Sequence, residues 1–277
     1  MDARAPATPH ARPPRARPPR ARTPRARIPR ALQGEERLRL LNYQNNQIQV
    51  ISNLHTLPFL IFLDLYNNQI RAICGLEQVP SLRVLMLGKN QIEKVERLDA
   101  LTKLDVLDLH CNKLQAISGL AHLCELRVLN LAGNQISQIE AAGLRGLASL
   151  AELNLRRNVI SAVSGVDCLP ALQRLFLSYN QIGSVRSVAS LGEVSGLLEL
   201  ALDGNPLAIE PSYRSSVLEL SSTIRHLGAP LRAAATASIR RHVLARRHVH
   251  EPLCAFATAA PPPPHHFRIC RSPLGPP

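Results

Sequence analysis

The sequence predicts an α/β solenoid: a curved parallel β-sheet lining a concave side, short helical or irregular segments on the convex side, and a C-terminal cap helix. Two observations predict the coils. An asparagine returns at one place in the phrase L-x-x-L-x-L-x-x-N-x-[IL], at Asn46, Asn68, Asn90, Asn112, Asn134, Asn158, Asn180 and Asn205, in steps of 22, 22, 22, 22, 24, 22 and 25 residues. Each phrase also alternates leucine with variable residues, which places the leucines on the inner face of a short strand and the variable residues outside. A third observation predicts the cap: after Asn205 the apolar residues Tyr213, Val217, Leu220, Ile224 and Leu227 recur at helical three- and four-residue steps.

A phrase of this form at a period of 20–29 residues is the leucine-rich repeat. The array runs through LRLLNYQNNQI, LIFLDLYNNQI, LRVLMLGKNQI, LDVLDLHCNKL, LRVLNLAGNQI, LAELNLRRNVI, LQRLFLSYNQI and LLELALDGNPL. The limb after each asparagine has apolar residues of its own, such as Ile70, Ile73, Leu76 and Val79. A single coil cannot bury these side chains, but stacked coils share one core. The asparagine sits at the corner, where an amide can pair backbone groups of neighbouring turns. The two longer steps hold SQIEAAGLRGLASL, with room for a short convex helix, and GSVRSVASLGEVSG; both should bulge outward and leave the sheet undisturbed. Pro206 stops the last coil and the cap follows. Only GEERL precedes the first phrase, so the first coil is expected to be poorly covered.

Three segments follow: an Arg/Pro-rich tail over 1–32, a repeat domain with its cap over 33–227, and a basic Pro/His-containing tail over 228–277. The first tail has nine Arg against Asp2 and the last has seven Arg against Glu251, whereas 33–227 holds 17 basic and 18 acidic residues. The net charge of +13 therefore belongs to the tails. Repelling Arg and frequent Pro leave the first tail nothing to bury, so it should be extended and disordered. The Pro of this leader also argues against the amphipathic helix of an organelle transit peptide. No apolar run approaches a membrane span, so membrane insertion is not expected. The six cysteines form no C-x-x-C pair and none of the 14 asparagines lies in an N-x-[ST] sequon, a combination that suits a reducing compartment.

Motifs that carry chemistry are scarce in this sequence. Phosphate-binding glycine loops, nucleophile elbows and zinc-binding H-E-x-x-H are absent from the sequence. The neighbours His110 and Cys111 are the sharpest enzymatic pair, but nothing in the sequence supplies a third orienting group. His242, His248, His250, His265 and His266 lack carboxylate and cysteine partners at ligand spacing. The expectation is a chain with no cofactor, no metal and no catalysis.

The outward columns of the sheet are the candidate binding surface. Strands ~4.8 Å apart make a face of about 34 Å. One column reads Leu40, Phe62, Val84, Val106 and Val128, then Glu152, Arg174 and Glu199; the other reads Asn42, Asp64, Met86, Asp108, Asn130, Asn154, Phe176 and Ala201. An apolar stripe beside an acidic column, followed by a charged patch with Arg156 and Arg157, suits a protein partner. Tyr66, Phe176 and Tyr179 add aromatic anchors.

The 22-residue period, the I-x-x-I/V step after the asparagine and the closing Y-R-x-x-V-L helix resemble the intracellular SDS22-like leucine-rich repeat family. Within it, the phrases GEERLRLLNYQNNQI, LRVLMLGKNQI, LDVLDLH, HLCELRVLNLA and DGNP are similar to a non-catalytic subunit of the tubulin polyglutamylase complex. The resemblance spans residues 33–227 and implies a scaffold whose partners are polyglutamylase subunits and tubulin, in the cytoplasm and cytoskeleton, at microtubules, centrosomes or cilia. Two alternatives stay open: regulation of a protein phosphatase through the concave face, which the SDS22 resemblance implies, and nucleic-acid binding through the Arg-rich tails, which is not expected to be the function.

Overall fold

The computed structural model describes residues 27–28 and 37–228. The two tails lie outside the described residues apart from Arg27, Ile28 and Gly228, and so do the five histidines from His242 to His266 and the last two cysteines.

Each phrase opens on a three-residue strand. They are β1 (Leu40–Asn42), β2 (Phe62–Asp64), β3 (Val84–Met86), β4 (Val106–Asp108) and β5 (Val128–Asn130), then β7 (Glu152–Asn154), β9 (Arg174–Phe176) and β10 (Glu199–Ala201). Two-residue strands β6 (Gln138–Ile139) and β8 (Ala162–Val163) pair with each other on the return limb. The phrase strands pair in parallel, in register and in chain order, and the sheet ends on β11 (His226–Leu227). Leu40, Phe62, Val84, Val106, Val128, Glu152, Arg174 and Glu199 therefore stand opposite one another in one column. This is the α/β leucine-rich repeat solenoid that the period predicts.

Between the columns, Leu41, Leu63, Leu85, Leu107, Leu129, Leu153, Leu175 and Leu200 point inward and are buried. They meet return-limb residues such as Ile70, Ile73, Leu76 and Val79 in one continuous core. Each such side chain contributes roughly 1.5–3 kcal/mol of transfer free energy.

The corner asparagines stitch the coils together. The amide of Asn112 donates to the carbonyls of Leu87 at 3.0 Å and Leu109 at 2.9 Å, and its oxygen accepts the Ile92 N–H at 2.9 Å. The same three bonds recur at Asn68, Asn90, Asn134, Asn158, Asn180 and Asn205. Among the described residues Asn46, in the first coil, bonds only Tyr43 and Gln44 of its own turn. The residue before each asparagine turns the chain in the left-handed region: Asn45, Asn67, Lys89, Cys111, Gly133, Arg157, Tyr179 and Gly204 all have φ between 51° and 72°. Six of those eight carry a side chain, a conformation that costs free energy and that the coil stacking enforces.

The two long steps hold a short helix, α1 (Ala141–Leu144), and a 3-10 run over Val185–Glu193. Register is unbroken from β5 to β7 and from β9 to β10, so both insertions stay on the return limb.

At each end the structure differs from the expectation. The cap helix α2 covers Tyr213–Leu220 and stops there, whereas the apolar spacing carries on through Ile224 and Leu227. Past Ser221, which is extended, a turn leads into β11, and Leu227 is a strand residue paired with Leu200. The carbonyls that the last phrase strand would otherwise leave open decide this outcome: Leu198, just before β10, accepts from Arg225 and His226, and Leu200 of β10 accepts from Gly228. At the other end the first coil is not left bare. Arg27 bridges Val50, Ile28 is fully buried in the core, and the Asn53 amide donates to the Ile28 carbonyl.

Candidate protein-binding face

The outward columns lie on the concave side, and their depth is uneven. Leu40, Phe62 and Met86 are half-buried, but Val106 and Val128 are only 1% exposed and Val84 is barely more open. These three valines form a small cluster of their own with Phe62 and Met86 packed against it, apart from the main core. The expected exposed apolar stripe is thus exposed only at its N-terminal end, over Leu40, Phe62 and Met86. Short β-branched side chains on neighbouring strands pack against one another, while longer neighbours overshadow them. Phe176 is likewise 1% exposed, so it fills the concave floor instead of presenting an anchor. The exposed aromatic of that coil is Tyr179.

In the second column a local bond fixes the polar residues. The side-chain oxygens of Asn42, Asp64, Asp108, Asn130 and Asn154 each accept the backbone N–H two residues on, ending the strand in an Asx turn. Asp64 and Asp108 are buried in consequence. Burial lifts the Asp64 carboxyl from 3.8 to about 6, opposed by the Tyr66 amide and assisted by the charge of Asp108.

Beyond that column three consecutive coils present Tyr66, Gly88 and His110. Asp108 Oδ1 lies 2.7 Å from His110 Nδ1, and the imidazole leans across Gly88 onto the Tyr66 ring. A methyl group at Gly88 would collide with that imidazole, so the stack requires glycine there. Lys89 Nζ stands 5.3 Å from the Tyr66 ring centroid, completing a group of Tyr66, Lys89, Asp108 and His110. Asp108 is the orienting group for His110 that the sequence did not reveal. It does not make a nucleophilic triad: Cys111 Sγ rests against Gly133 of the following coil, while His110 leans over the preceding one.

The apolar column ends in an ion pair. Arg174 Nε and Nη2 both lie 2.9 Å from Glu152 Oε2, with Glu152 2% and Arg174 33% exposed. Arg156 is half-buried and Arg157 is exposed; the latter lies 5.2 Å from the Tyr179 ring centroid. Tyr179 in turn covers Gly204. Lys89 and Arg127 join this face without having been candidates from the sequence, and His110, considered there only as a nucleophile partner of Cys111, belongs to it through Asp108 and Tyr66. The ring, gap, ring order of Tyr66, Gly88 and His110 at one phrase position was the signal for the first cluster. Among the described residues there is no group of three or more His, Cys, Asp or Glu placed to hold a metal ion. No helix among them is long and apolar enough to cross a membrane.

This architecture defines a leucine-rich repeat solenoid, a class that serves as protein-interaction scaffolds. The family described as Leucine Rich repeats (2 copies) matches residues 36–78 and 80–122, and the family Leucine rich repeat matches residues 124–182. Over 46 residues the chain is 54% identical to Leucine-rich repeat-containing protein 49 of Homo sapiens, a stretch equal to 17% of this chain and 7% of that protein. An internalin (inlF) from Listeria monocytogenes shares 24% identity at a TM-score of 0.52, covering 75% of this chain and 72% of that one. Internalin C2 from the same organism shares 25% identity at a TM-score of 0.57, covering 68% and 79%. These structural likenesses show the fold.

Proposed function

We propose that this chain is a non-catalytic scaffold subunit of a tubulin-modifying, polyglutamylase-type complex, acting in the cytoplasm at microtubules. The observation that carries this reading is the 54% identity over 46 residues to Leucine-rich repeat-containing protein 49. It joins the resemblance of the phrases LRVLMLGKNQI and HLCELRVLNLA to a subunit of that complex. The scaffold part is supported by the division of labour within each coil: the leucines and asparagines hold the solenoid, and the partly open outward residues Leu40, Phe62 and Met86 are left to meet a partner. The docking surface is the open N-terminal half of the concave face, Leu40, Phe62 and Met86 with Tyr66 and Lys89, together with Tyr179 and Arg157 further along.

Affinity purification of the full chain from ciliated cells, followed by mass spectrometry, tests the reading. Enrichment of polyglutamylase subunits and tubulin, lost on Phe62→Asp with the melting temperature retained, is the expected result. Enrichment of a protein phosphatase catalytic subunit in their place would move the assignment to phosphatase regulation.

A further inference from the structure

By count the repeat domain is nearly neutral, with 17 basic and 18 acidic residues over 33–227. The fold sorts most of the two signs by depth on the concave side; Glu125, exposed beside Arg83, and the half-buried Glu199 and Asp203 are the exceptions. Asp64, Asp105, Asp108 and Glu152 are all buried there. The bases stand above them: the Arg127 side chain is 50% exposed over Asp105 at 5%, and the Arg174 side chain is 33% exposed over Glu152 at 2%. Arg39, Lys89 and Arg157 on the same side are exposed. Side-chain length explains the sorting. A short Asp reaches the amides of its own turn and stays in the groove, whereas Lys and Arg extend past the rim. An approaching partner therefore meets mostly positive charge on a face whose composition is balanced.

We propose that this face docks an acidic, extended protein segment bearing an apolar anchor residue. Carboxylates of the segment pair with Lys89, Arg127 and Arg157, and the anchor rests on half-buried Phe62 and Met86. Lys89 and Arg157 belong to the third and sixth coils, three strand spacings or ~14 Å apart. An extended chain crosses that distance in roughly four residues, which sets the spacing of the acids. Nucleic acid fits less well. The faces of Tyr66 and Tyr179, on which bases would stack, are already occupied by His110 with Lys89 and by Arg157. The inference rests on the scaffold reading and adds the chemistry of the partner.

The test is fluorescence anisotropy on the full chain with a labelled peptide of Glu-Glu-Leu-Glu repeated three times. The triple variant Arg39→Glu, Lys89→Glu, Arg157→Glu touches only exposed bases, and should weaken binding by about tenfold or more. Reversing Lys94, Arg97 and Arg145 on the return limb should change binding by less than about twofold. The milder Arg39→Gln, Lys89→Gln, Arg157→Gln form serves if the reversal unfolds the chain, and should still weaken binding. Replacing each Leu of the peptide by Ser should also weaken it. Equal losses from both triple reversals, or an oligothymidylate that displaces the peptide and depends more strongly on the concave bases, would overturn the proposal. Capture of polyglutamylase subunits without any peptide binding would sink the acidic-segment inference and leave the scaffold assignment standing; loss of that capture in wild type would sink the assignment itself.

Discussion

The imidazole of His110 stacks on the ring of Tyr66 two coils away, with centroids 5.6 Å and planes 29° apart, because Gly88 leaves the coil between them without a side chain. Gly88→Ala should push the imidazole off Tyr66 and loosen its bond to Asp108. The obstacle is a side chain that can rotate, so stability should fall by less than about 1 kcal/mol. The His110 ring-proton shifts in NMR spectra should lose the Tyr66 ring current. Unchanged shifts would mean that the two rings do not touch in solution.

Gly119→Ala is the contrasting case. Its φ is 70° and an added methyl would meet the Val95 carbonyl oxygen in the backbone of the preceding coil. Neither obstacle can rotate away, so the loss should exceed roughly 2 kcal/mol in urea titrations.

Asp64 makes stability depend on pH. Its folded pKa, about 6, lies above the ordinary value of 3.8, so between those values the folded chain binds more protons than the unfolded chain. Stability contributed by this group is therefore full below pH 4 and falls as pH rises toward 6. Asn fills the equivalent place in β1, β5 and β7 with the same Asx turn. Asp64→Asn should remove this pH dependence and raise stability at pH 7 by at most roughly 3 kcal/mol. Thermal melts of both proteins from pH 4 to pH 8 measure it; parallel curves would refute the shift.

The Glu152 and Arg174 pair should behave as a unit. Arg174→Ala leaves a carboxylate in a nearly closed site and should cost roughly 2–4 kcal/mol. Changing both residues to Val continues the column of Val84, Val106 and Val128, and should recover most of that loss. A double mutant as unstable as the single one would show that the pair is not what holds this part of the face.

Asn112→Ala should cost about 1–3 kcal/mol, because it strips partners from Leu87, Ile92 and Leu109 at once. Asn46→Ala should cost less than about 1 kcal/mol, since it strips bonds only within its own turn. Urea melts that rank the two in the opposite order would contradict the stitching described above.

The coils were legible in the sequence because one rule, leucine inward and asparagine at the corner, is repeated with a fixed count, and the count sets both period and register. Leu40 opposite Phe62 opposite Val84 follows from that arithmetic alone. The concave face was less legible because alternation tells which way a side chain points and not how deep it lies. Val106 and Phe176 point outward and are covered all the same. The left-handed corners were hidden too, since Lys89, Cys111, Arg157 and Tyr179 are not residues that favour that conformation, and stacking imposes it. Leu227 misled for a different reason: three- and four-residue steps after α2 continue by coincidence into a strand whose place is set by the open edge of β10. Ile28 was concealed in a tract whose composition gives no hint of burial.

The asparagine bonds also have a direction. Both the amide and the carbonyl of each interior asparagine reach back to the coil before it, as Asn112 reaches Leu87 and Ile92. Each coil is therefore completed by its successor. A ribosome delivers the coils in that same order, so every newly emerged turn finishes the one already made, and the groups that await an asparagine are always those of the newest coil.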